Sequence, residues 1–348
     1  MSAQNQEFAQ IPMAWIGPLR LSGNVTSGEI EVPLATYETT LFPSVKRGAT
    51  VSRLVEGGIR ATLVDERMTR SILFRADSAA DAHQAAQRIT EDLPALQRVV
   101  AGTSRFATLI DVAPHIVGNL LYLRLEFTTG DAAGHNMVTL AADALMPAIA
   151  EREPALQYAS ISGNFCTDKK ASAVNGIRGR GKNVIAEITL PAEVLRRRLR
   201  TSAERMMDLN VRKNLVGGIA AGSLRSANAH YANMLLGFYL ATGQDAANIV
   251  EGSQGITHTE VRGEDLYFSC TIPHLIVGSV GNGKGLDGVT RTLERLGCRE
   301  EREPGDNARR LAVLAAATVL CGELSLMAAQ TNPGELMAAH IQFERSSR

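Results

Sequence analysis

The chain has little cysteine, and Cys166, Cys270, Cys298 and Cys321 are scattered without metal-ligand spacing. That excludes a disulfide framework and a cysteine-held zinc site, and it fits a reduced, cytoplasmic protein. Charge of neither sign is in excess, with 36 Lys plus Arg against 36 Asp plus Glu. There is thus no basic surplus to draw nucleic acid and no cationic run to draw an anionic membrane. Arg, Glu or Gly interrupts the apolar stretches before they reach bilayer-spanning length. The start, Met1-Ser2-Ala3-Gln4-Asn5, lacks the basic region and apolar core of a secretory signal. Internal repeats and low-complexity tracts are also missing. What remains is a soluble globular chain of 348 residues, 45% hydrophobic. That length suffices for two domains or one large domain with an insertion, and the expected partner is a small molecule or another subunit.

The most informative run is Ser162-Gly163-Asn164-Phe165-Cys166-Thr167-Asp168-Lys169-Lys170. Glycine lets backbone approach a ligand closely. Ser162 and Asn164 offer hydrogen-bonding groups, and the two lysines bring positive charge to a carboxylate or a developing oxyanion. A lone lysine in a polar loop is more often simply solvated, but Asp168 and Lys170 beside Lys169 weigh against that reading.

Periodicity places this run at the edge of a compact unit. Residues 71–76 read as a strand, 79–100 as a helix, and 106–112 and 121–128 as strands. In the last of these Leu121, Leu123, Leu125 and Phe127 alternate with Tyr122, Arg124 and Glu126. Residues 131–150 return to helix and 156–162 to strand. Strand, helix, strand, strand, helix, strand is the ferredoxin-like order, so a small α+β unit over 71–161 is expected to interrupt a larger one built from 1–70 and 162–348. The flanks read as mainly helical, over 203–222, 228–242 and 308–330, the last opened by Asp306 as a cap. Strands are expected at 182–190 and 265–280. The first ten or so residues and the charged turn 299–307 read as loose.

Several separated motifs, in order, resemble those of the 3-hydroxy-3-methylglutaryl-coenzyme A reductase family in its class I form. Ile16-Gly17-Pro18-Leu19 is similar to an early turn of that family, and Pro33-Leu34-Ala35-Thr36-Tyr37-Glu38 to the segment bearing its catalytic glutamate. Arg47-Gly48, Met68-Thr69-Arg70, Ser104-Arg105-Phe106 and Asp131-Ala132-Ala133-Gly134-His135-Asn136 follow. Lys213-Asn214-Leu215-Val216-Gly217, Asn228-Ala229-His230, Gly243-Gln244-Asp245 and Gly322-Glu323-Leu324-Ser325-Leu326-Met327 complete the series, with His340 near the end. The likeness runs over about residues 11–346. The chain begins close to the early turn, which implies a short first part of the larger unit.

The resemblance implies reduction of a thioester to a primary alcohol, mevalonate, by two hydride transfers from NADPH, in the mevalonate route of isoprenoid synthesis. It implies Lys169 as the cation at the carbonyl oxygen and Glu38 as its proton donor. Asp245 couples the two, and His340 protonates the departing coenzyme A thiolate. The residues alone leave blander readings open. Glu38 serves as well for a structural ion pair, Asp245 for a turn residue after a helix, and His340 for a structural histidine in an apolar helix. The substrate's carboxylate and hydroxyl would fall to Arg70, Ser162, Asn164 and Asp168, joined by Lys170, Lys213 and Asn233. Coenzyme A would fall to Ser44, Arg47 and Arg200. The cofactor would lie against Ser104, Arg105, Asp131, Ala133, Gly134, His135 and Asn136, with Gly281 and Gly283 from a second motif. Arg105 favours NADPH, since a guanidinium matches a 2′-phosphate. A dimer or dimer of dimers with sites between subunits is implied as well, and no metal.

Two departures stand out. The family's run of three glycines and a threonine is here Gly281-Asn282-Gly283-Lys284, so Asn282 is expected to take a positive φ and Lys284 to reach phosphate. A glycine pair before Asn228 is replaced by Leu224-Arg225-Ser226-Ala227, which is expected to alter a close helix contact. The run 283–288 fits the Rossmann glycine spacing, but no alternating strand and helix series surrounds it. Alternative readings are oxidation of mevalonate with NAD, another acyl-coenzyme A as substrate, and a non-catalytic coenzyme A binding relative. Retention of Glu38, Lys169, Asp245 and His340 together argues against the last.

Overall fold

The computed structural model describes residues 7–342; residues 1–6 and 343–348, and the side chains of Ala339 and His340, lie outside the described residues. The first six of the residues expected to be loose are therefore not described. Strands β1 (Met13–Gly23) and β2 (Gly28–Ala35) lead to α1 (Leu41–Ser52) and a long β3 (Ile59–Arg75). Then come α2 (Ala79–Glu91), α3 (Leu93–Ala101), β4 (Thr108–Val117), β5 (Leu120–Thr128), α4 (His135–Arg152) and β6 (Gln157–Ser160). The chain continues through α5 (Ala173–Arg178), β7 (Gly181–Leu190), α6 (Ala203–Leu209), α7 (Tyr231–Ala241), β8 (Ile256–Arg262) and β9 (Asp265–Leu275). It closes with α8 (Asp287–Arg295), α9 (Asp306–Gln330) and α10 (Glu335–His340).

The class is α+β, as expected. The small unit is an antiparallel sheet in the order β6-β3-β5-β4, with α2, α3 and α4 packed against it over one apolar cluster. This is the ferredoxin-like topology. The helix expected over 79–100 is two helices, because the Asp92 carboxylate accepts from Ala95 N at 3.2 Å and caps α3, whose first turn holds Pro94. The helix expected from 131 starts only at His135, behind the left-handed Gly134.

The larger unit holds more strand than a mainly helical reading implies. Its sheet runs β2-β1-β3-β7-β9-β8, with β1 and β3 parallel and the other pairs antiparallel. Periodicity marks only β7 and β9. β1 and β2 are broken up by Pro18, Pro33 and a register shift at Ile16/Leu19, which obscure their alternation. β3 belongs to both sheets: its register runs from Arg60↔Glu187 to Arg67↔Gly181 on one and from Met68↔Phe127 to Arg75↔Leu120 on the other. One continuous strand therefore fixes the two units against each other, and the strand at 71–76 is only its last third.

Helix α9 is the centre of the larger core. It is apolar on nearly every side, and 94% of its most apolar window is buried, so its length and composition serve packing rather than a bilayer. The cap is Gly305 in the left-handed region, not Asp306, which pairs with Arg309 at 2.8 Å one turn on. Close approach is built in at Gly48 of α1, where a Cβ would lie 2.1 Å from the Cys321 carbonyl oxygen. Gly48→Ala is expected to cost about 1–3 kcal/mol of stability by prising α1 from α9. Urea denaturation measures this, and an unchanged midpoint would show that the two helices separate freely. All four cysteines are buried thiols.

Candidate functional site

The lysine run occupies the connection from β6 to β7. Asn164, Thr167 and Lys169 all have positive φ, at 61°, 44° and 55°. Three non-glycine residues in that region within six positions store strain, which persists only where the surroundings enforce it. Arg124 does much of the enforcing. Its buried guanidinium donates to Phe165 O at 3.2 Å, to Asn175 Oδ1 at 3.0 Å and to Gly179 O at 2.5 Å, and pairs with Glu126 at 3.0 Å. Alternation puts Arg124 and Glu126 on the polar face of β5, yet both are fully buried, because the lysine loop covers that face. Arg70 on β3 donates to Ile161 O at 3.2 Å, and Gly163 N to Ser71 O at 2.7 Å, fixing the entry to the loop.

So held, Lys169 Nζ pairs with Asp245 Oδ2 at 2.8 Å. That hydrogen bond raises the Lys169 pKa despite partial burial. Partial burial pushes the Asp245 carboxyl up, but the Lys169 ammonium and the Ala247 amide outweigh it and hold it below its usual range. Beside them Asp168 accepts from Arg180 at 2.8 Å and lies 3.6 Å from His135 Nε2, which is also 3.3 Å from Asn248 Oδ1. Burial, reinforced by Arg180, lowers the pKa of His135, so near neutral pH it is an uncharged imidazole. Its Nε2–H then faces two acceptors and Nδ1 is left to accept. Ser162, Asn164 and Lys170 are exposed on the same loop, and Lys170 Nζ donates to Asp168 O at 3.0 Å.

His135 opens the 18-residue α4, whose first turn has no side-chain cap and so leaves its amides able to receive an anion. Gly134, at φ 98°, is required there, since a Cβ would lie 2.7 Å from the Thr129 side chain. The two expected cofactor motifs meet at this point. Ser279 N donates to Asp131 O at 2.9 Å, Ala132 bridges Val280, and a Cβ on Gly278 would lie 2.4 Å from Ala133 N. Asp131 also accepts from Ala308 N at 2.9 Å, tying the loop to the start of α9. Arg105 lies over the Phe106 ring at 4.7 Å, and Phe106 sits beside Gly130; Ser104 accepts from Phe106 N at 3.2 Å.

The second motif departs from expectation in both of its substituted residues. Positive φ falls on Gly281 (101°) and Gly283 (82°), not on Asn282. Lys284 is buried, its ammonium donating to Gly243 O and to Asn282 O, the latter at 3.4 Å. It props the turn that carries Asp245 instead of presenting charge to phosphate, and burial brings its pKa down to about 8. Arg225, left-handed at φ 48°, lies against Gly176, where a Cβ would meet its Nε at 2.0 Å.

Glu38 belongs to a separate cluster. It is exposed in the turn between β2 and α1 and accepts from Asn233 Nδ2 at 3.0 Å. Asn233 Nδ2 also lies 3.4 Å from His230 Nδ1, and His230 Nε2 lies 3.0 Å from Gly322 O. A carbonyl can only accept, so Nε2 carries the proton and Nδ1 accepts from Asn233. Buried Glu323 holds this turn, accepting from Ala229 N at 2.6 Å, His230 N at 3.0 Å and Thr257 Oγ1 at 2.9 Å. Lys213, its pKa lowered by burial, is within electrostatic reach of Glu323. A cleft of about 400 Å³ opens beside Glu38 and includes Ser44, Arg47 and Ser325. Arg47 is already engaged by Glu335 at 2.8 Å and by the carbonyls of Arg198 and Leu199, while Arg200 is exposed and left-handed. His340 ends α10, and its side chain lies outside the described residues.

The chain thus gathers the named residues into two groups and leaves Glu38 apart from Lys169. Helix α7 separates them. Asn233 sits in its first turn and Asp245 beyond its C-terminus, with about 12 Å of helix between. Sequence reasoning also missed Arg124, Arg180, Glu251 and Glu323. Each is a charge flanked by apolar or glycine neighbours, and only the fold shows what covers it.

Comparison with known proteins identifies the family. The family model for hydroxymethylglutaryl-coenzyme A reductase matches residues 8–345. The chain is 47% identical over 324 residues to the 3-hydroxy-3-methylglutaryl-coenzyme A reductase of Pyrococcus abyssi, covering 92% of this chain and 79% of that one. With the Aeropyrum pernix reductase it shares 45% over 333 residues, 95% of this chain and 78% of the relative. Among solved structures, the class II reductase of Streptococcus pneumoniae bound to NADPH superimposes with a TM-score of 0.74 at 18% identity, over 95% of this chain and 88% of that one. At that identity the likeness speaks for the fold.

Proposed function

The chain belongs to the hydroxymethylglutaryl-coenzyme A reductase family, and from that premise we infer that it reduces 3-hydroxy-3-methylglutaryl-coenzyme A to mevalonate and free coenzyme A. The observation that carries this reading is the Lys169–Asp245 pair at 2.8 Å on a strained loop beside the N-terminus of α4. The reaction twice builds negative charge on a carbonyl oxygen. A preorganised ammonium next to that oxygen stabilises it without reorganising at the moment of reaction. Asp245 keeps Lys169 charged and oriented, and Glu38 gives up a proton to the oxygen. His340 protonates the coenzyme A sulfur as it leaves. Arg70, Ser162, Asn164 and Lys170 hold the acyl group's carboxylate and hydroxyl, together with Lys213 and Asn233. Asp168 braces the loop through Arg180. Ser44, Arg47 and Arg200 line the path of coenzyme A, with Arg47 exchanging its bond to Glu335.

NADPH fits the residues present. The close-packed Gly134, the free amides at the start of α4 and the adjoining loops at 131–136 and 278–283 suit a pyrophosphate, and exposed Arg105 suits a 2′-phosphate. When bound, the cofactor supplies hydride. The division at 71–161 then separates a cofactor-binding unit from a substrate-binding one.

The complete site forms between two copies of the chain. Met207, Val211, Leu215 and Ile219, four residues apart, form an exposed apolar stripe along α6, its π-helical continuation Asn210–Gly217 and the helical turn Gly218–Ala220. Such a stripe needs a partner surface. A second copy that covers it can bring its Glu38 to this chain's Lys169.

The test is a spectrophotometric assay of the purified protein with the thioester and each nicotinamide cofactor in turn. Oxidation of NADPH dependent on the thioester is expected; none with any cofactor would refute the reading. Within the same assay Arg105→Ala is expected to raise KM for NADPH by about 10- to 100-fold, the worth of a charge-assisted hydrogen bond. KM for NADH should hardly move, and an equal rise for both would take Arg105 off the 2′-phosphate.

A further inference from the structure

Beneath the lysine loop lies a buried carboxylate to which neither the family motifs nor the reaction assigns a role. Glu251, in the short helix Ile249–Gly252, has no exposed side-chain surface. One oxygen pairs with the Nη1 of Arg180, itself buried, and the other accepts from the backbone N–H of Lys170 at 3.2 Å. The amide of Lys169 is directed at the same carboxylate. Arg180 uses its other nitrogen, Nη2, on Asp168 at 2.8 Å. Glu251 is therefore tied to the loop twice, through amides and through an arginine that also grips Asp168. Between the two residues it grips, Asp168 and Lys170, lies Lys169, whose backbone is left-handed at φ 55°.

We propose that Glu251 is the positioning residue for Lys169: its ionised carboxylate fixes the left-handed backbone that aims the ammonium at Asp245. This rests on the reading of Lys169 given above. An acceptor for two adjacent amides offsets the conformational cost of φ 55° at a residue with a Cβ.

The arrangement is sensitive to pH. The groups facing Glu251 are Arg180 at the head of β7, Asp168, Lys169 and Lys170 on the loop, Tyr239 on α7 and, beyond Arg180, His274 on β9. Burial outweighs the attraction of Arg180, Asp168 adds to it, and the carboxyl is pushed up to about 7. Below that pH Glu251 takes a proton, its hold on the amides weakens and Arg180 is left to Asp168. Turnover is then lost as pH falls through about 7. Stability moves the opposite way. A carboxyl with a raised folded pKa stabilises the fold most below its unfolded pKa, and this contribution is lost as pH rises to about 7.

The experiment follows kcat against pH, and hydrogen exchange at the amides of Lys169 and Lys170 corrected for intrinsic rates, in the wild type, Glu251→Gln and Glu251→Asp. In the wild type both kcat and amide protection should fall below about pH 7, kcat by up to tenfold per pH unit. Glu251→Gln should lack that limb in both measurements, with kcat lowered about tenfold or more at its plateau and each KM changed less than about threefold. Glu251→Asp, which keeps the charge on a shorter arm, should restore the limb at a shifted midpoint. A Gln variant that keeps the wild-type limb overturns the proposal. So does an Asp variant with an unshifted midpoint, which decides the matter if the Gln variant does not fold. Hydrogen exchange needs no substrate, so an inactive wild type with the predicted protection profile would count against the assigned reaction and leave the role of Glu251 standing.

Discussion

Lys169→Ala is expected to lower kcat by about 10²- to 10³-fold while the protein stays folded. The magnitude is that of removing one preorganised donor from a developing oxyanion, about 3–4 kcal/mol of barrier. The fold should survive because the side chain is partly exposed and its one ion pair, with Asp245, is half in solvent. Alanine must still take the left-handed backbone at φ 55°, a local cost of about 1–2 kcal/mol. Lys169→Gly provides the control: it removes the same charge without that strain, so its kcat should match the alanine variant's while its stability is higher. Steady-state kinetics with saturating thioester and NADPH measures the loss. A decrease smaller than about tenfold, roughly 1.4 kcal/mol, would place the stabilising charge elsewhere.

Much of the fold was legible before any coordinate. The small unit's strand and helix order is visible because its strands alternate cleanly and its helices carry buried alanines and leucines at helical spacing. β1 and β2 were not legible, since prolines and a register shift mask their alternation. The candidate site divides in the same way. Lys169, Asp245 and the two loops expected to bind cofactor each lie within a single motif, and the structure brings Lys169 to Asp245 and one loop to the other. Their supports come from distant segments. Arg124 reads as a solvent-facing strand residue because alternation identifies a face without showing what covers it, and here the cover is the lysine loop. Glu323 is the one charge in the apolar run 311–330, and only the approach of the Ala229–His230 amides shows its use. Lys284 inverted its expected role for a related reason: a flexible amine in a glycine loop can reach outward or fold back, and two carbonyls within the fold settle the choice.

The separation of Glu38 from Lys169 leads to the most demanding expectation, that two inactive variants restore one another. Within one chain Glu38 is bonded to Asn233 at the start of α7, and Lys169 to Asp245 beyond its end. A rigid helix does not shorten to let them meet, so the proposed site takes each from a different copy. Glu38→Gln alone abolishes the proton donor in both sites of a dimer, and Lys169→Ala alone abolishes the cation in both. When the two variants are co-expressed and assort at random, half of the dimers are mixed. In each of these one site inherits both lesions and the other neither, so about a quarter of all sites are intact. Activity should therefore recover to about a quarter of the wild-type value, measured per dimer after confirming that mixed species form. Asp245→Asn provides the contrast, because Asp245 lies in the same half-site as Lys169. It should complement Glu38→Gln and fail to complement Lys169→Ala. Mixed Glu38→Gln and Lys169→Ala dimers without recovered activity would mean that the two residues serve one chain's own site, and that α7 does not separate them in the working enzyme.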